Sequence, residues 1–210
     1  MKAALLDFQG TALAIIFAIA LVVFGGWQYL AIMLVFLVAS VAVTKHGYGE
    51  KRELGIYEHE RSWENVLANG IVPVMCVYFL PVVGPWAFVG SLAAITADKF
   101  ASELGVLSGQ PVSLFTLKPV KRGVSGAITF FGTFMSFDGA LLIGIVSFFV
   151  FPSISLWKVL AIGIVGFAGS IVDSVFGVLE EQGIGNKATT NFICAATGAI
   201  LGALLLAAIS

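Results

Sequence analysis

Apolar residues run through this chain in long stretches separated by short polar clusters. The breaks predict membrane-spanning helices at about residues 6–24, 27–43, 63–80, 85–105, 123–150, 157–178 and 188–209. A bilayer core of about 30 Å requires roughly 20 residues per helix, and most of these runs comply. The fifth does not: its 28 residues, at about 1.5 Å each, would reach about 42 Å. It is expected to tilt strongly or to break near Asp138-Gly139. The runs are continuous rather than alternating in segments of about ten, which excludes an outer-membrane barrel. The expected fold is an all-α integral membrane protein, one domain over residues 1–210, a polytopic bundle of about seven helices.

Charge orients that bundle. With these spans, Lys2 and the loops 44–62, 106–122 and 179–187 fall on one side. Ten of the eleven Lys and Arg residues lie on or near it, and only Lys158 falls opposite. The positive-inside rule then puts the N-terminus and these loops in the cytoplasm, with the cell membrane as the expected location. Lys2 before an apolar stretch resembles the start of a secretory signal. Asp7 interrupts that stretch and no small-x-small site closes it, so the run is expected to remain as a span.

Composition sharpens the picture. Of 210 residues 59% are hydrophobic and 11% charged, and the formal net charge is −1; mean hydropathy is +1.03. No basic tail or stripe offers a nucleic-acid footprint. Cys76 and Cys194 sit inside apolar runs, which argues against a disulfide framework or a CxxC zinc site and for small apolar packers. His46 and His59 lie in the first charged loop without metal-ligand spacing. That loop, carrying Glu50, Lys51, Arg52, Glu53, Glu58, Glu60 and Arg61, reads as a solvated connector or as a lid.

Polar residues within the spans stand out because a charge in hydrocarbon costs about 2.5–3.5 kcal/mol on insertion scales. Asp98 and Asp173 each fall roughly 10 Å inside the charged end of their helices. Steps of three and four residues gather Gly163, Gly166, Ser170, Asp173, Ser174 and Gly177 on one face. They do the same for Arg61, Asn65, Ala68 and Asn69; for Asn191, Cys194, Gly198 and Gly202; and for Ser125, Thr129, Gly132, Thr133 and Ser136. Small residues alone serve helix packing. The acids and asparagines at one depth point further, to a shared polar cavity. Asp98 and Ser102 share a helix face, whereas Glu103 is about 140° away from Asp98 and reaches the same ion only near a frayed helix end. Lys99 and Glu103, four residues apart, are alternatively a neutralising pair. Asp138 lies opposite the polar stripe of its span and suits pairing, a helix break or an oligomer contact such as a homodimer.

Carboxylates with amide and hydroxyl neighbours are hard oxygen ligands suited to Mg²⁺ held together with substrate phosphates. Lys118, Lys121 and Arg122 are donors fitted to phosphate oxygens, or else solvated loop charges. Gly183-Ile184-Gly185-Asn186-Lys187 leads into Thr189-Thr190-Asn191 at a helix start, where free N–H groups favour an anion. There is no Walker A or HExxH sequence.

RSWENVLANG from Arg61, TADKFASELG at 96–105, LKPVKRGVSGA at 117–127, GFAGSIVDSVFG at 166–177 and the closing Asn186…Asn191 together resemble one membrane family, long of unknown function, that includes the chloroplast phytyl-phosphate kinase. The likeness runs in order over about residues 60–202. It implies transfer of a phosphoryl group from a nucleoside triphosphate, with CTP expected, to an isoprenoid monophosphate such as phytyl or geranylgeranyl phosphate. By position it implies Asp98, Glu103 and Asp173 as metal-binding and catalytic acids. Arg61, Asn65, Asn69, Ser102, Lys118, Lys121, Arg122, Ser170, Ser174, Asn186, Lys187 and Asn191 are the corresponding substrate contacts. The sequence departs from the family's pattern at Lys99, where a small or neutral residue is more usual, and at Asp138. An acceptor phosphate is already nucleophilic at neutral pH, so the acids are expected to position metal and substrate rather than to abstract a proton. Nucleotidyl transfer to give a CDP-lipid, transport through an intramembrane carboxylate site and a non-catalytic assembly role are the alternatives. Polar groups confined to one half of the bilayer weigh against transport.

Overall fold

The helix that carries Asp98, Lys99 and Glu103 is also the one most enclosed by others. In the computed structural model, which describes residues 7–56, 63–152 and 154–209, α6 (Pro85–Gly105) runs through the middle of the molecule and is buried from Ala87 to Ala97. Around it stand α1 (Phe8–Phe24), α2 (Trp27–Lys45), α4 (Trp63–Tyr78), α7 (Phe130–Val150), α8 (Leu156–Glu181) and α9 (Lys187–Leu201). The last ends in a π-helical turn, Gly202–Leu206. Short helices α3 (Tyr48–Glu53) and α5 (Leu80–Val83) join them. Four of the helices are long and apolar enough by composition to cross a membrane: α2, α7, α8 and α9 with its π turn. Asp98, Lys99 and Glu103 interrupt the apolarity of α6, and its central place explains why that is tolerated: neighbouring helices, not lipid, cover it.

Small residues set the spacing and register. A Cβ on Gly90 would come within 2.2 Å of the Gly198 carbonyl, so α6 and α9 cross backbone to backbone. Gly166 packs on Ala93, and Gly169 touches both Ala94 and the Cys194 carbonyl. One turn beyond those contacts, Asp98 of α6, Asp173 of α8 and the start of α9 at Thr190-Asn191 come level with one another. The glycine stripes therefore pack helices, and the register they impose gathers the polar groups.

The fifth span differs from its expected form. Residues 123–129 are not helical: Gly123 and Gly126 adopt positive φ of 86° and 71°, and β2 (Ala127–Ile128) pairs antiparallel with β1 (Val112–Ser113). The remaining 21-residue helix is about 32 Å long. It fits a bilayer without a break, and Asp138 lies inside it in regular helix. Asp7, which interrupts the first run, is the N-cap of α1. Its Oδ1 accepts from Gly10 N, and Oδ2 accepts from Trp63 N at 3.4 Å, tying the starts of α1 and α4 together.

The 44–62 segment is more than a solvated connector where it is described. Lys51 of α3 is buried. Its Nζ donates to the carbonyls of Val43 (2.9 Å) and Thr44 (3.2 Å) in the last turn of α2, an ammonium set at the negative end of that helix. Arg61, His59 and Lys2 lie outside the described residues.

Candidate functional site

Two cavities meet at the charged-loop end of the bundle, where a single polar cavity is expected from the sequence. The larger, about 420 Å³, is bounded by α6, α7, α8 and the 123–129 segment. The smaller, about 140 Å³, lies among α1, α2 and α4. Asp98, Lys99, Ser102 and Lys187 line both. They form the wall between them.

The larger cavity receives the stripes of α7 and α8. Thr129, Gly132, Thr133 and Ser136 line one side, and Ser170, Asp173 and Ser174 another. Among the described residues four cations reach it: Lys51, Lys99, Arg122 and Lys187. Its rim is held by ion pairs and hydrogen bonds between distant segments. Arg122 Nη1 bonds Glu50 Oε1 at 2.8 Å, joining α3 to the 106–129 segment. Ser125 N donates to Glu181 Oε1 at 2.9 Å and Ser125 Oγ to Glu180 Oε2 at 3.2 Å, clamping that segment onto the end of α8. Gly126 sits so close to α8 that a Cβ would fall 2.5 Å from Val178 N. Only glycine fits both that approach and its positive φ.

The smaller cavity is apolar along most of its length and polar at one end. Phe17, Ala14 and Ala18 come from α1, and Leu30, Met33, Leu34, Phe36 and Leu37 from α2. Asn65, Asn69, Lys187 and Asn191 stand at the polar end, with Ser40 beside them. Asn65 and Asn69 of α4 and Asn191 of α9 thus border this cavity rather than the larger one. Asn69 Nδ2 donates to the Asn65 carbonyl at 2.8 Å.

The acids do not converge as a triad. Among the described residues no three of His, Cys, Asp and Glu are grouped to hold one ion. Glu103 is taken up by cations: Lys51 Nζ at 2.8 Å, Lys99 Nζ at 2.7 Å and the Thr44 hydroxyl at 2.8 Å. The Lys99–Glu103 pair is therefore present, and the expectation that Glu103 shares an ion with the other two acids is corrected. Helix geometry gives the reason, since Glu103 points toward α2 and α3 while Asp98 faces α8. Asp98 and Asp173 remain as a pair of interacting carboxyls, and Lys187 Nζ lies 3.7 Å from Asp173 Oδ2. Asp173 Oδ1 and Asn191 Oδ1 are buried with no hydrogen-bond partner among the described residues.

Three expected phosphate contacts are placed elsewhere. Lys118 and Lys121 are exposed and line neither cavity, because the turn around Leu117 (φ 52°) carries them to the surface. Asn186 is exposed and serves as the N-cap of α9, its Oδ1 accepting from Thr189 N at 3.0 Å and from the Thr189 hydroxyl at 3.1 Å. Lys51 is the residue that the sequence reading missed. Its only signal was a lysine in a run of mixed charge, indistinguishable from its solvated neighbours.

The fold and this intramembrane polar site define an integral membrane protein built around buried acids and cations. The chain belongs to the family described as integral membrane protein DUF92, which matches residues 1–206, in keeping with the resemblance read from its motifs. It is 37% identical over 210 residues to an uncharacterised membrane protein of Methanocaldococcus jannaschii, covering 97% of this chain and 87% of that one. It is 31% identical to Protein PGR of Arabidopsis thaliana, over 72% of this chain and 64% of that one. It is also 31% identical to an uncharacterised membrane protein of Synechocystis, over 75% of this chain and 65% of that one. The chain thus spans less than two thirds of the plant and cyanobacterial proteins. No solved structure matches it.

Proposed function

We propose that this protein is a phosphotransferase that moves the γ-phosphoryl group of a nucleoside triphosphate, CTP by the family likeness, to an isoprenoid monophosphate at the cytoplasmic face of the cell membrane. The observation that carries this reading is the composition of the larger cavity. Among the described residues, Lys51, Lys99, Arg122 and Lys187, the carboxyls of Asp98 and Asp173 and a glycine-bearing turn surround one space at the charged end of the bundle.

Phosphoryl transfer asks for little covalent help: charge neutralisation, alignment and exclusion of water. Arg122 and Lys99 supply cations for a triphosphate, Arg122 with a fork that matches paired phosphate oxygens. Lys187 stands between the cavities, where an acceptor phosphate and a γ-phosphate would meet. An acceptor oxygen forms a bond to the γ-phosphorus, the bond from that phosphorus to the bridging oxygen breaks, and the nucleoside diphosphate leaves with the electron pair. The dianionic acceptor has no proton to lose.

The donor set suits Mg²⁺. Asp98, Asp173 and Asn191 offer hard oxygens, and two of those oxygens are buried with no other partner. Bound there, the ion would bridge phosphates and neutralise their charge.

Purified protein incubated with Mg²⁺, geranylgeranyl monophosphate and CTP labelled on its γ-phosphate should yield labelled lipid diphosphate. The product should vanish without Mg²⁺ and in Asp98→Asn. Release of pyrophosphate with a lipid-linked nucleotide would indicate nucleotidyl transfer instead. No labelled product with any nucleotide from folded protein would refute both readings and favour transport.

A further inference from the structure

We infer that the part of the isoprenoid tail next to the phosphate does not lie in bulk lipid but is held inside the protein, in the smaller cavity among α1, α2 and α4, so that acceptor and nucleotide approach the Asp98–Lys187 wall from opposite sides. The inference rests on the phosphotransferase reading for the acceptor's identity, and on the cavity itself for its place.

The cavity, about 140 Å³, has the chemistry of an anionic headgroup joined to the first apolar units of a tail, with room for those units and not for the whole chain. Along α2 its lining runs from Ser40 to Leu30, about 15 Å of helix, and between those ends it is apolar. At the Ser40 end it meets Lys99, Lys187, Asn65, Asn69 and Asn191, donors that suit phosphate oxygens. Asn191 contributes a carbonyl oxygen, buried and unpartnered, which in an acceptor complex would lie beside the headgroup and its counter-ion. A purely structural packing defect would not place its only polar groups at the end that opens on the acidic wall.

The cavity is also walled against the larger one. Asp98, Lys99, Ser102 and Lys187 are the residues common to the two, so a phosphate at the polar end of one adjoins a phosphate in the other. Entry of two phosphate groups from opposite sides is the arrangement that in-line displacement needs. Small side chains on α1 keep the tail space open. Ala14 and Ala18 face it, while Ile15 and Ile19 on the same helix are exposed on the outside.

The test uses the full-length protein in nanodiscs and a radiolabelled geranylgeranyl monophosphate bearing a diazirine on the isoprene unit next to the phosphate. Irradiation should label peptides of α1, α2 and α4 at cavity residues, and excess geranylgeranyl monophosphate should compete the label away. Ala18→Phe should reduce labelling at least about fivefold, whereas Ile19→Phe, on the outer face, should not. Ala18→Leu provides a milder filling should Ala18→Phe fail to fold. Among active variants, filling Ala18 should also raise the KM for geranylgeranyl and geranyl monophosphate alike, and leave that for the nucleotide unchanged. Label confined to lipid-facing positions, or insensitive to competitor and to Ala18 substitution, would overturn the proposal even if the protein proves to be a kinase. Competed cavity labelling without lipid diphosphate formation would uphold the tail site and overturn the kinase reading.

Discussion

Glu103 and Asp173 lie on neighbouring helices and carry the same charge, yet their surroundings are opposite. Glu103 is enclosed by two lysines and a hydroxyl, each within 2.8 Å. Asp173, only 4% exposed, has a second acid beside it, one lysine at 3.7 Å, and an oxygen with no partner. A buried charge without full compensation destabilises a fold unless something else satisfies it. The saturated acid therefore belongs to the framework. The unsaturated one marks where a ligand supplies what the protein leaves out.

Substitution should separate these two roles. The largest functional effect is expected at Asp173: Asp173→Asn should lower phosphoryl transfer by about 100-fold or more, while the thermal unfolding midpoint stays level or rises, because an undercompensated charge has been removed. A midpoint that falls sharply would place Asp173 in the framework and dissolve the contrast. Glu103→Gln should do the reverse. It strands Lys51 and Lys99 and costs about 3–5 kcal/mol of stability, read from thermal or denaturant unfolding in detergent. Adding Lys51→Met to Glu103→Gln should recover part of that loss, since the stranded ammonium goes too; additive losses would deny the coupling.

Smaller effects sharpen the outline of the site. Asn186→Ala removes the α9 cap and should cost about 1 kcal/mol while changing the rate less than about threefold. A loss of activity comparable to that of Asp173→Asn would return Asn186 to the substrate contacts. Lys118→Ala and Lys121→Ala should be nearly silent in stability, within about 0.5 kcal/mol, and in turnover. A marked rise in KM for the nucleotide in either would show that the turn around Leu117 folds back over the cavity.

Those outcomes bear on how far residue patterns reach. The helical runs, the polar stripes and the Lys99–Glu103 spacing are properties of local periodicity, so they were legible in the chain. The partner of Asp98 was legible only as a depth. What joined Asp98 to Asp173 and set Glu103 apart is the packing of Gly166 and Gly169 on Ala93 and Ala94, a register between helices about 70 residues apart in sequence. Lys51 was hidden for the same reason, because its role comes from the end of α2 and from Glu103, neither of which its neighbours announce.

By itself the sequence determined that this protein is a helical membrane protein with its charge gathered at one end, because burial in hydrocarbon is decided segment by segment. It determined which residues were too polar to face lipid. Tertiary structure alone decided that the polar residues of α7 and α8 enclose one cavity and the asparagines of α4 and α9 border another, with a shared wall of Asp98, Lys99, Ser102 and Lys187. The reason is geometric: a helix fixes which way a side chain points around its own axis, but which neighbour stands there depends on close contacts between segments far apart in the chain.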